Sequence, residues 1–414
     1  MDLDLAASGN SKAKPAHPAI FMVLLLPYGI MQGYLTVTLA YLYHKAGMPV
    51  EDVAALVGLS LLPNIFKFVW GPLIDLTLSV KKWYLIANVT TAAGMFLMGV
   101  LTPIAHNFWL LGAVVFVAFF ASTFVCLAAS SFMAYDTTEE TKGRAGGWYN
   151  IGGLGGIGLG GAAGLWLAQY VSAAWMVGAG LGIACLFCFF AIPFVKEPES
   201  AIRANKVGQN LANLFKDIWL TIKEKAAVLA LFLAFLPLGT GAAGSLFAAM
   251  ATDWHAGVNI VALVTGLLGA GATSIGCLVG GYLCDIMNRQ RAYVLFGLAQ
   301  ALCAVGMAFC PHTEIFFVCW TLAYAFANGL AFSGFTAFVL EVIGKGAAAT
   351  KYNLYAGLAN IPIYLVTIAD GWGDTKWGPN GTLLIEAACA GAGILLFYLF
   401  KALMGKKRVS PAPG

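Results

Sequence analysis

Four ionisable residues stand inside or at the ends of long apolar runs: Lys67, Glu341, Asp370 and Glu386. A fifth, Asp75, follows Lys67 by two helical turns. A charge placed among hydrocarbon costs several kcal/mol unless it is paired or hydrated, so each of these marks an ion pair, a contact with a polar ligand or a site of proton uptake. Asp370 closes one run and Glu386 lies a turn inside the next, positions from which either could carry a proton. Glu341, at the end of an earlier run, serves as a gate contact or a third proton candidate. For Lys67, reaching to the surface, pairing across helices and touching a ligand are equally open. Four of the five histidines (His44, His106, His255, His312) fall in separate loops, and neither a Ser-His-Asp set nor a zinc-type spacing accompanies the acids. Catalysis and metal binding are therefore not expected.

A second set of residues recurs. Gly71-Pro-Leu-Ile-Asp75 is followed by Lys81, Lys82 and Tyr84; Gly281-Tyr-Leu-Cys-Asp285 is followed by Arg289, Arg291 and Tyr293. Both read Gly-x-Leu-x-Asp, then two bases, then an aromatic residue, and from Asp75 to Asp285 is 210 residues. Tyr149-Asn150 after Asp136 recurs as Tyr352-Asn353 after Glu341, at nearly the same offset. Two matches at one spacing argue for a duplicated unit. The glycine allows close approach of two backbones, and the aspartate can pair with a base or accept from a helix N-terminus in the other unit. Such a contact holds in one conformation and breaks in another.

The elements that must position these residues follow from composition. Of 414 residues, 60% are hydrophobic and 10% charged, and mean hydropathy is +0.82. A soluble domain carries roughly 25% charged residues, so the chain is a polytopic membrane protein. A net charge of +4 without a basic stripe excludes nucleic acid as a partner. Apolar runs at about 18–43, 51–76, 83–104, 108–134, 147–170 and 174–195 form a first set of six. Runs at about 226–250, 259–284, 292–310, 314–341, 352–370 and 382–404 form a second, numbered spans 1 to 12 together. Each is long enough for the roughly 20 apolar residues a bilayer crossing needs.

Lys and Arg set the orientation. Of 23 bases, 20 fall in the terminal tails and even-numbered breaks, against Lys45 and Lys376 on the other side and Lys67 within a span. This bias places both termini in the cytoplasm. The expected organisation is a six-helix unit over 1–195, a cytoplasmic linker over 196–225 and a second six-helix unit with a basic tail over 226–414. In the linker, Leu211, Leu214, Phe215, Ile218 and Ile222 share one helical face, suited to lying on the membrane surface. The nine cysteines lie in or beside apolar runs and are expected free. The Gly152–Gly164 run carries Gly152, Gly156, Gly160 and Gly164 every fourth residue, a smooth face for a neighbouring helix rather than a nucleotide cradle.

Two six-helix repeats with the loop motif at equivalent ends resemble the major facilitator architecture. That resemblance implies an all-α fold of 12 transmembrane helices in two pseudo-symmetric halves, with a ligand site between them near mid-membrane. Spans 1, 4, 7 and 10 would line it. Tyr28, Gln32 and Tyr34 are then candidate contacts, with Lys67, Ser130, Trp320, Tyr324 and Asn328, although packing against a neighbouring helix is an alternative for each. Thr123, Ser131, Thr240, Ser245, Ser333 and Thr336 add polarity to the same spans. The cavity so drawn is aromatic and largely uncharged. Gly71, Asp75, Gly281, Asp285 and Arg289 form the conformational motif.

Leu26-Pro-Tyr-Gly29, the stretch Leu62-Pro-Asn-Ile-Phe-Lys-Phe-Val-Trp-Gly-Pro-Leu-Ile-Asp75 and Ala348-Ala-Thr-Lys-Tyr352 resemble the AmpG-related permeases. By that resemblance Lys67, Trp70, Pro72 and Asp75 are family-motif positions. The twelve-span length and the Leu-Pro-Tyr-Gly opening are most similar to the family's siderophore branch. The resemblance implies a bacterial inner-membrane importer of a ferric siderophore, driven by the proton gradient, without a cofactor and acting as a monomer. The alternative is a muropeptide permease, against which the expectation counts the chain's stop after span 12 at Gly405-Lys-Lys-Arg408. A membrane acyltransferase would need a buried His or Asp pair, and a receptor would need an output domain longer than the linker.

Overall fold

A computed structural model describes residues 15–102, 108–198, 216, 219–220, 224–344 and 347–406. Most of the linker lies outside the described residues, including the apolar face expected at Leu211, Leu214, Phe215, Ile218 and Ile222. Among the described residues, ten helices are long and apolar enough to cross a membrane: Ala19–Lys45, Val80–Val100, Phe108–Tyr135, Lys142–Tyr170, Ala174–Phe194, Val258–Ile286, Arg289–Phe309, Glu314–Val342, Ala348–Trp377 and Pro379–Leu403. They are spans 1, 3, 4, 5, 6, 8, 9, 10, 11 and 12. Span 2 is a bent pair, Val50–Ile65 and Lys67–Leu76, its second helix turned 48° from the first. Span 7 begins as the helix Lys225–Phe235 and then unwinds.

The irregular spans have local causes. Proline restricts the residue before it to extended backbone, and Leu236 before Pro237 adopts φ −78°, ψ 143°, ending the first helix of span 7. Gly239 and Gly241 follow at positive φ, and short turns at Ala242–Ser245, Phe247–Met250 and Ala251–Trp254 complete the crossing. In span 2 the break falls at Phe66, flanked by Pro63 and Pro72. Three spans carry one π-helical turn each: Tyr34–Leu39 in span 1, Ile151–Gly155 in span 5 and Val264–Leu268 in span 8. Such turns add a residue to the helical ladder and often border functional sites.

The duplication is visible in the caps. Ser79 accepts from the Lys82 amide to open span 3, and Asn288 accepts from the Arg291 amide to open span 9. Spans 1 to 6 pack among themselves, chiefly 3 against 4 and 6, and 1 against 5. Spans 7 to 12 do likewise, chiefly 10 against 8 and 9, and 12 against 9 and 11. The halves meet where span 8 crosses the start of span 5 and where the start of span 11 crosses the end of span 2. Inside the first half, Gly156 lies against Gly29, Gly160 against Ile30 and Gly164 against Thr38. Thr38 Oγ1 donates to the Gly160 and Gly161 carbonyls at 3.3 and 3.1 Å, closing the backbone contact of spans 1 and 5. All nine cysteines are free.

Candidate functional site

The polar bonds that join the halves gather at the end of the bundle where most of the bases lie, called here the basic end. Asp75, the last turn of span 2, accepts from the Ala349 and Thr350 amides at 3.4 and 3.0 Å and from Thr350 Oγ1 at 2.6 Å. It thereby caps the first turn of span 11. Asp285, the last turn of span 8, accepts from the Gly143 and Arg144 amides at 2.7 and 3.2 Å and from Arg144 Nε at 2.7 Å. It caps the first turn of span 5. Unsatisfied amides and the positive end of a helix dipole make such a carboxylate contact favourable. Gly71 and Gly281 allow it: a Cβ on Gly71 would stand 2.9 Å from the Thr350 Cα, and one on Gly281 2.7 Å from the Gly143 carbonyl oxygen.

Arg289 adds charge to this seam. Its guanidinium reaches Glu139 Oε2 at 3.1 Å, the Glu139 carbonyl, and Glu341 Oε2 at 3.6 Å. Lys142 holds Glu139 Oε1 at 2.5 Å. The Lys142 hydrogen bond, followed by the one from Arg289, keeps the Glu139 carboxyl below its ordinary range.

One layer deeper, two amides cross in opposite senses. Asn150 of span 5 donates to Thr336 Oγ1 and the Phe332 carbonyl of span 10 at 2.9 and 3.2 Å. Asn353 of span 11 donates to Ser130 Oγ of span 4 at 3.0 Å. Their neighbours Tyr149 and Tyr352 meet edge to face, ring centroids 5.7 Å apart.

Above this floor, at mid-height, lies a cavity of about 590 Å³ between the halves. Tyr28, Gln32, Asn64, Lys67, Cys126, Tyr149, Asn150, Tyr293, Phe335 and Tyr352 are among its lining residues. Tyr28 donates to Asn64 Oδ1 at 2.7 Å, and Lys67 Nζ stands 5.9 Å from the Tyr28 ring centre and 3.6 Å from Cys126 Sγ. A second cavity of about 700 Å³, further from the basic end, shares Leu154 and Ile157 with the first. Its wall is apolar apart from Thr265, Thr273, Thr321, Tyr324 and Asn328, and includes the π-helical turn of span 8. The seam is thus closed at the basic end and hollow from the middle outward.

The acids sit behind these cavities. Glu386 of span 12 accepts from Thr240 Oγ1 at 2.9 Å, Tyr324 OH at 3.0 Å and the Ala243 amide at 3.3 Å. The Thr240 and Ala243 contacts exist because span 7 has unwound there, which frees donors that a continuous helix would use internally. Asp370 of span 11 is fully buried beside Glu386. Two carboxyl groups, one from span 11 and one from span 12, are thus packed side by side.

The sequence candidates separate accordingly. Tyr28, Gln32 and Lys67 line the first cavity, and Tyr324 and Asn328 the second. Tyr34 does not: at 100° per residue it points about 200° away from Gln32, and it is buried in the core of the first half, its hydroxyl against Gly178 of span 6. Trp320 is also outside both cavities, its indole filling the notch left by Gly306 of span 9. Ser130, one turn past Cys126, sits in the closed seam under Asn353. Glu341 is an ion-pair partner at the basic end rather than a neighbour of either cavity. Sequence reasoning missed Asn64, Asn150, Asn353 and Cys126. The repeated Tyr-Asn doublet could have found the two crossing amides, since both doublets open a span at the seam.

Comparison with known proteins gives this geometry a context. The Major Facilitator Superfamily profile matches residues 21–367. An anhydromuropeptide permease of Escherichia coli K12 is 26% identical over 409 residues, covering 94% of this chain and 78% of that protein. A putative AmpG transporter of Rickettsia conorii is 24% identical, covering 92% and 96%. Among solved structures, the transporter FucP in an outward conformation aligns with a TM-score of 0.69 at 16% identity, over 92% of this chain and 98% of that one. The proton:xylose symporter XylE aligns at 0.62 and 13% identity, over 92% and 95%.

These relatives overturn the expected ferric-siderophore cargo, because those whose names state a cargo are muropeptide permeases. The aromatic wall of the first cavity does not single out a siderophore either, since tyrosine rings suit a sugar face as well as an aromatic ligand.

Proposed function

The chain belongs to the Major Facilitator Superfamily, and on that premise we propose that it is a secondary permease of the bacterial inner membrane that imports peptidoglycan fragments of the anhydromuropeptide class. The observation that carries this reading is the similarity to an anhydromuropeptide permease over 94% of this chain and 78% of that protein, joined to a mid-height cavity lined by tyrosines and amides. Such walls suit an amino sugar bearing a short peptide: ring faces stack on tyrosine, and amides exchange hydrogen bonds with Gln32, Asn64 and Asn150.

The distribution of bases supports a cytoplasmic basic end. The closed floor and hollow upper seam then correspond to a state that accepts cargo from the periplasm. Binding followed by release of the Asp75 and Asp285 caps would open the floor while the upper walls close. Asp370 and Glu386 are the proton carriers in this reading. A proton taken from the periplasmic side rests on the pair, and its loss to the cytoplasm resets the carrier.

The test is uptake of labelled anhydromuropeptide by cells whose own permease for it is deleted and which express this chain, with and without a protonophore. Protonophore-sensitive accumulation is expected. Background uptake from a chain confirmed in the membrane overturns the substrate, and accumulation indifferent to the protonophore overturns the coupling.

A further inference from the structure

The first cavity holds one charged side chain. Among the described residues lining either cavity, Lys67 alone is ionisable as an acid or a strong base, cysteine and tyrosines aside, and no carboxylate lies within ion-pair distance of it. Its placement is specific. Lys67 is the first residue of the second helix of span 2, after a 48° bend, and it lines the cavity between the halves. Tyr28 and Cys126 flank the ammonium, and Asn64, one turn before it, is fixed by the Tyr28 hydroxyl. The nitrogen therefore faces the cavity with soft and neutral neighbours only.

A cation held at mid-membrane with no acid beside it is costly, and the cost falls when an anion arrives. The two buried acids do not serve: Glu386 is engaged by Thr240, Tyr324 and Ala243, and Asp370 is packed beside it, neither lining the first cavity. The partner has to come with the cargo. We propose that Lys67 is the docking point for a carboxylate of the transported molecule, so that the permease selects a free acid over its neutral derivative. The inference deepens the peptidoglycan-fragment reading and rests on it for the identity of the cargo, since the peptide stem of such a fragment ends in carboxylates. Asn64, whose Oδ1 already accepts from Tyr28, has its Nδ2 amide to donate to the second carboxylate oxygen.

Two measurements test it. The first compares uptake of an anhydromuropeptide with that of the same compound carrying its carboxyls as primary amides. Wild type is expected to prefer the acid by at least about tenfold in kcat/KM, one charge-assisted contact converted at 1.4 kcal/mol per decade. Lys67→Gln should lose that preference through KM, and Lys67→Arg should retain most of it. Equal use of acid and amide by wild type, or an undiminished preference in Lys67→Gln, overturns the proposal.

The second measurement needs no cargo. In protein whose other eight cysteines are replaced, an anionic thiosulfonate should modify Cys126 faster than a cationic one of similar size. Lys67→Gln should abolish the difference, and Cys126→Ser should give no labelling. Absence of a charge preference in wild type overturns the anion site. If wild type imports neither the acid nor the amide, the peptidoglycan reading falls, and the thiol rates alone decide whether Lys67 attracts an anion.

Discussion

Asp75 and Asp285 are crossed caps: each closes a span in its own half and satisfies the first-turn amides of a helix in the other. The closed seam is therefore secured by two equivalent contacts rather than by one lock. Each combines a carboxylate with backbone donors, so breaking it exposes both the acid and the helix start to water, where both can be solvated. That makes the contact strong enough to define a state and weak enough to release within a transport cycle.

Neutralising either cap should shift the balance of states. Asp75→Asn and Asp285→Asn keep the size of the side chain and lose the charge. A loss of about 1–2 kcal/mol in the closed basic end is expected for each, a shift of roughly 5- to 30-fold in the population. Spin-label distances across the basic end would read it. Unchanged distance distributions in both variants would show that the caps do not hold the seam.

Steric opening should be more severe. In Gly281→Leu the new side chain starts 2.7 Å from the Gly143 carbonyl oxygen, and a floor built on backbone contact cannot close around it. Transport should vanish while the protein remains folded in the membrane with its basic end open. Gly391→Ala on span 12, where nothing lies within 4 Å of the added carbon, serves as the neutral control. Active Gly281→Leu protein would contradict the closure described.

The acid pair predicts a separation of two activities. Glu386→Gln and Asp370→Asn should abolish accumulation against a gradient yet leave exchange of cargo between the two sides largely intact. Counterflow in proteoliposomes distinguishes the two. If accumulation survives in both variants, the pair does not carry the coupling proton.

Glu139 gives the seam a defined response to acid. Its carboxyl is held below the ordinary 4.5 by Lys142 and Arg289, so its contribution to closure is complete above that value and fades as pH falls through the lowered one. Closure read by thiol access at the basic end should be indifferent to this group between pH 6 and 8 and weaken only under strong acid. Glu139→Gln should remove that acid-sensitive component.

Much of the fold was legible because membrane helices declare themselves by length and apolarity, and because Gly71-to-Asp75 and Gly281-to-Asp285 repeat at one spacing. The caps could be anticipated for the same reason: an aspartate after a glycine at a helix end has few other uses. Cavity-facing residues were harder to read. Tyr34 is as polar as Tyr28, yet six residues of helical rotation put it behind the wall, and only the register of the packed helix reveals that. Trp320 was hidden by a residue on another span, since Gly306 supplies the slot that takes it. The partnership of Glu386 with Thr240 and Ala243 depends on the unwinding of span 7 at Pro237, which places residues far apart in sequence around one carboxyl.

The glycine contact of spans 1 and 5 carries a mechanical consequence. Where Gly156 rests on Gly29 and Thr38 bonds the Gly160 and Gly161 carbonyls, the two rods have no slack and must travel as a single spar. Flexure is thereby concentrated at interruptions outside it: the π-helical turn of span 8, the bend at Phe66 and the unwound stretch after Pro237. A bulky side chain wedged into the spar would loosen it everywhere along its length. Stiffening one of those joints would leave the protein intact but slow, like a door hung on a rusted pin.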